Sequence, residues 1–170
     1  MKNDSDIQEI QKVTKGVPGH IASVRRLIVA GTQISDLLNN LPSHLPGLFE
    51  LEWSQINTAD PHLLAVLSLL VHDDDEHTPE SVADITGCSP KDVLGIVDAL
   101  EFLQINSTSK SIFFKHGSIR EFIHTRLANT RPKVLEQLMK HYSAHPDSSR
   151  ARAQLPALLS LQSEDKKLVE

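Results

Sequence analysis

The sequence predicts a mainly α fold, in which a helical subdomain is followed by a winged-helix domain with a short β-hairpin wing and then by further helices. Three observations predict it. Apolar residues recur at helical spacing through most of the 170 residues. Asp60-Pro61, Thr78-Pro79 and Ser89-Pro90 each place a capping side chain before a first-position proline, so they mark three successive helix starts. One segment, Gln104 to Phe114, abandons the helical period for β-branched and aromatic residues around a polar tip. The expected divisions are residues 1–58, 59–127 and 128–170.

Within the first division, Ile7, Ile10 and Val13 predict a short helix that stops at the breaker Gly16-Val17-Pro18-Gly19. A second helix carries Ile21, Val24, Leu27 and Ile28 on one face, with Arg25 and Arg26 projecting elsewhere as a surface pair, and Gly31 closes it. Ile34, Leu37, Leu38 and Leu41 predict a third helix ended by Pro42, and Pro46 precedes a fourth containing Leu48, Leu51 and Trp53.

The second division opens with the strongly apolar helix over Leu63, Leu64, Val66, Leu67, Leu69, Leu70 and Val71, expected to be the most buried. Asp73-Asp74-Asp75-Glu76 reads as a solvated acidic turn. Thr78 then caps a helix whose Val82, Ala83 and Ile85 face inward, and Gly87 ends it. Ser89-Pro90-Lys91-Asp92 starts the next helix, with Val93, Leu94, Val97, Leu100 and Leu103 at helical spacing. After the hairpin, Ile119, Phe122, Ile123 and Leu127 share one helical face; further helices are expected over Val134–Tyr142 and Ala151–Leu161, with the last eight residues frayed.

Composition excludes several functions. The single cysteine, Cys88, can form no internal disulfide, and neither a metal site nor a catalytic residue is assigned. His141 and His145 lie four apart on a helix, yet no carboxylate motif accompanies them in sequence. The longest apolar run falls well short of the roughly 20 residues that span a bilayer, so no membrane association is expected, and the acidic N-terminus together with the lone cysteine points to the cytoplasm. Nucleotide and hydrolase signatures are absent, so the chain is not expected to be an enzyme. DNA is a poor partner for a chain of net charge −5. The helix from Ser89 to Leu103, which would enter the major groove, carries one lysine against three acids and no arginine, glutamine or asparagine.

Two segments together resemble the signal-transduction ATPases of the NACHT and NB-ARC type, the STAND class. Lys15-Gly16-Val17-Pro18-Gly19-His20-Ile21 is similar to the Gly-x-Pro motif that opens their small helical subdomain. Leu63 to Ile123 is similar to their winged helix, above all in its ending, Phe114-Lys115-His116-Gly117-Ser118-Ile119-Arg120-Glu121-Phe122-Ile123. The resemblance covers residues 12–127. It implies a regulatory, non-catalytic part of a nucleotide switch, whose winged helix packs on a nucleotide-binding domain of the same larger protein. It also implies that His116 contacts the β-phosphate of ADP and that Pro18 lies near the adenine. Gly117 departs from the plant version, which has an acid there, and the phosphate loop is missing, so ADP or ATP is expected only with the absent nucleotide-binding domain. The alternative is a free-standing winged-helix module that binds DNA or a partner protein.

Overall fold

The computed structural model describes residues 4–14, 18–29, 31–40 and 45–167. They fall into two compact units, Met1–Thr58 and Ala59–Glu170.

The first unit contains α1 (Asp4–Thr14), α2 (Pro18–Val29), α3 (Ile34–Asn40) and α4 (Leu45–Gln55). Helix α1 packs on α2 and α3, and α2 packs on α4. Val24, Leu27, Leu37 and Phe49 are buried, as the periodicity predicts for the first three, whereas Ile21 in the first turn of α2 stays exposed. Arg25 is exposed as expected, but Arg26 departs from a surface role. Arg26 forks onto Glu52 of α4, with Nε donating to Oε2 at 2.6 Å and Nη2 to Oε1 at 2.8 Å, and Nη2 also donates to the buried Ser23 hydroxyl. Only 10% and 7% of the two side chains remain exposed. A bidentate pair of this kind is strong and direction-specific, and its burial makes each charge depend on the other.

The second unit is built around α5 (Pro61–His72). Asp60 caps it by accepting from the His62 and Leu63 amides, satisfying donors that the first turn leaves without partners. Because α5 is apolar on all sides it is surrounded, packing against α6 (Pro79–Thr86), α7 (Pro90–Ala99), α8 (Gly117–Arg126) and α9 (Arg131–Ala144). Val66, Leu67 and Leu69 are sealed completely from solvent; each such burial is worth roughly 1.5–3 kcal/mol.

Helices α6 and α7 meet across Gly87, Cys88 and Ser89. Gly87 adopts φ 77°, the left-handed conformation that lets the chain leave α6 without a Cβ clash. Ser89 and Asp92 then exchange side-chain to backbone hydrogen bonds as a capping box. Beyond α7 the chain forms β1 (Leu103–Ile105) and β2 (Ile112–Phe114), antiparallel with Leu103 opposite Phe114, Gln104 opposite Phe113 and Ile105 opposite Ile112. The connection turns at Lys110, φ 58°. On its other edge β2 pairs with the segment before α6, where the Ile112 amide donates to the His77 carbonyl at 2.8 Å.

The acidic stretch before His77 is not simply a solvated turn. Asp73 is only 14% exposed and accepts from Nε2 of the buried His77 at 2.9 Å. A 3-10 turn, Ala128–Thr130, leads from α8 into α9, whose Val134, Leu138 and Tyr142 are buried. Helix α10 (Ser149–Lys167) packs on α9 and continues past Leu161, through residues that the sequence suggests are frayed. No helix among the described residues is long and apolar enough to cross a membrane.

Candidate functional site

His116 sits where β2 gives way to α8. The Lys115 amide is fixed by the Phe102 carbonyl at 3.0 Å, and His116 takes the cap position of α8 with extended backbone, φ −139° and ψ 129°. Its side chain makes no capping hydrogen bond and is exposed. The residues after it are explained by packing. Ile119 and Ile123 are buried against the core. Arg120 reaches back to the end of α5, donating from Nε to the Leu70 carbonyl at 3.4 Å and from Nη2 to the Val71 and Asp73 carbonyls at 3.2 and 3.4 Å. The same nitrogen pairs with the Asp74 carboxylate. Arg120 therefore satisfies carbonyls that the last turn of a helix leaves without partners, and a cation there suits the negative end of the helix dipole.

Pro18 is the first residue of α2, but its side chain lies outside the described residues, as do Gly16 and Val17. It belongs to the first unit and His116 to the second.

Charge around the hairpin is unevenly placed. A groove of about 370 Å³ between the hairpin and the α5–α6 connection is lined by Asp73, Asp74, Asp75 and Glu76, with Arg120 as its cation. Such a groove repels phosphate. The outward side of α7 presents Lys91, Asp92, Leu94, Gly95, Asp98 and Ala99, all exposed, with Leu94 41% accessible. Two acids against one lysine do not suit a phosphate backbone, whereas the apolar and small residues between them suit close approach of another protein surface.

On α5, His72 donates from Nε2 to the Leu127 carbonyl at 2.8 Å, while Nδ1 is buried and has no hydrogen-bond partner among the described residues. Burial holds its pKa below the ordinary 6.5, although the bond to Leu127 works the other way. For Asp73, burial opposes ionisation, but the hydrogen bond and charge of His77 outweigh it and hold the carboxyl below the usual value.

Sequence reasoning missed one cluster. His141 and His145 have no carboxylate motif of metalloprotease type near them in sequence, but the fold brings Asp84 of α6 to them: Asp84 Oδ2 lies 2.9 Å from His141 Nδ1. One donor atom from each of the three residues lies within 4.8 Å of the others. The four-residue spacing of the histidines was the available signal. The third partner, on another helix, was not legible.

The chain matches no protein-family model, no curated protein and no solved structure.

Proposed function

We propose that this chain is the regulatory, non-catalytic portion of a nucleotide-dependent signalling switch, with a winged helix in residues 59–127 that packs on a nucleotide-binding domain and senses ADP against ATP. The observation that carries the reading is the position of His116. It is exposed, makes no side-chain hydrogen bond among the described residues and is set at the start of α8, while Ile119, Arg120 and Ile123 beside it are engaged in packing. An imidazole left over in this way is available to a ligand brought by another domain. If it donates to a β-phosphate in one arrangement and loses it in another, the nucleotide acquires the differential contact that a conformational switch requires.

The winged-helix reading rests on element order. Helix, short bridging segment at His77, capped helix pair, hairpin and helix follow one another, and the hairpin's second strand pairs on both edges. The acid-bearing, partly apolar face of α7 supports protein packing over DNA.

The test begins with the native polypeptide. Peptide mapping is expected to find a phosphate-loop peptide upstream of Met1, and in that longer protein His116→Ala is expected to weaken ADP binding at least about tenfold, or 1.4 kcal/mol. A native protein without such a peptide would sink the reading. Salt-dependent binding of duplex DNA by the present chain would instead favour a free-standing winged-helix module.

A further inference from the structure

We propose that Asp84, His141 and His145 form a binding site for a borderline divalent transition ion, with Zn²⁺ as its natural occupant, in which the ion ties α6 to α9. This site is separate from His116 and does not depend on the switch reading.

The donor set comes first. Two imidazoles, His141 on α9 and His145 at its C-terminal cap, and one carboxylate from α6 are the ligand types that zinc takes, and a three-ligand site leaves a fourth position for water or another group. Magnesium and calcium prefer all-oxygen surroundings and do not suit it.

Local geometry prepares the ligands. His145 Nδ1 lies 3.0 Å from the His141 carbonyl. A carbonyl only accepts, so Nδ1 carries the proton and Nε2 keeps its lone pair for a metal, the arrangement in which a backbone carbonyl orients a ligating histidine. The imidazole of His141 stands 5.0 Å from that of His145, centroid to centroid, and Asp84 already approaches it at 2.9 Å.

The supporting elements are firm. Thr78 caps α6 and Gly87 closes it, Val82 and Ile85 bury its inner side, and Val134, Leu138 and Tyr142 anchor α9. The three side chains open onto a groove of about 320 Å³, through which an ion can enter. Around a tetrahedral zinc, donors about 2.0–2.1 Å from the ion stand roughly 3.3 Å apart. Donors now within 4.8 Å of one another must therefore draw in modestly. Asp84 and His145 are exposed and can do so by rotamer adjustment. Lys140 lines the same groove and restrains how much positive charge it tolerates.

The experiment titrates ZnCl₂ into the full chain, freed of any affinity-tag histidines, by calorimetry, and records the visible absorption of the Co²⁺ form in parallel. One ion per chain is expected, with cobalt bands typical of four- or five-coordination and a rise in unfolding temperature with metal concentration. His145→Ala and Asp84→Asn remove exposed side chains and should leave the circular dichroism unchanged. Each should weaken binding at least about tenfold, and His141→Ala should do the same. His62→Ala, on α5, should bind as the parent does. Absence of zinc binding overturns the proposal, and so does binding that survives His141→Ala combined with His145→Ala, since the ion would then sit on other histidines.

Discussion

His77 binds the Asp73 carboxylate through Nε2 at 2.9 Å while its Nδ1 meets the Ser81 hydroxyl at 3.0 Å, so one buried ring joins the end of α5 to the first turn of α6. Its own carbonyl holds β2. Replacing it by leucine keeps the volume roughly intact but leaves Asp73 without its side-chain partner. His77→Leu should cost about 1–3 kcal/mol in urea unfolding, with the Asp73 carboxyl pKa moving upward by NMR. An unchanged urea midpoint would show that the ring acts only as filler.

The Arg26–Glu52 fork predicts a non-additive pair. Arg26→Met alone strands a buried carboxylate and should destabilise the first unit by about 3–5 kcal/mol, read as faster amide exchange in α2 and α4. Adding Glu52→Leu should restore most of the loss, because two apolar side chains then meet where two charges did.

At α5, Leu67→Ala opens a cavity in fully buried packing. A loss of about 2–5 kcal/mol is expected by urea unfolding. Asp60→Ala, which deletes the cap of the same helix, should cost only about 1 kcal/mol. Equal effects of the two would contradict the central position assigned to the helix.

Acid sensitivity follows from His72. Burial disfavours its charged form in the folded chain, so the folded pKa lies below 6.5 and the unfolded chain takes up the proton first as pH falls. Stability carried by this group is complete above 6.5 and declines below it, toward the folded pKa. The urea midpoint should fall between about pH 7.5 and about pH 5.5, and His72→Gln should flatten that fall. A slope indifferent to the substitution would assign the effect to other histidines.

His116→Ala, at an exposed position, should leave the stability of the chain within about 0.5 kcal/mol of the parent. A larger drop would mean that the ring supports the fold and is not free for a ligand.

Much of the second unit was legible because its signals are local. Asp60-Pro61, Thr78-Pro79 and Ser89-Pro90 act within one helical turn, and the switch to a β pattern is a nearest-neighbour signal, although the helix ends at Ala99 and Leu103, expected to be its last apolar position, opens β1. What was not legible depends on distance along the chain. Arg26 finds Glu52 across two intervening connections, and Asp84 finds His141 only after the hairpin, α8 and the turn have been laid down. Asp73 looked like one of four equivalent acids, and only the placement of His77 distinguishes it. His116 and Pro18 entered through resemblance, and the exposed His116 has no packing signature that periodicity could reveal.

Arg120 has a mechanical consequence. Its guanidinium clasps the final carbonyls of α5, and its amide closes the first turn of α8 on the His116 carbonyl at 3.4 Å. Separating the two helices would strip those carbonyls of their partner, a cost on the order of 1 kcal/mol for each bond lost. The start of α8 and the end of α5 are therefore expected to gain and lose order together, which amide exchange of the two segments would show as a shared opening.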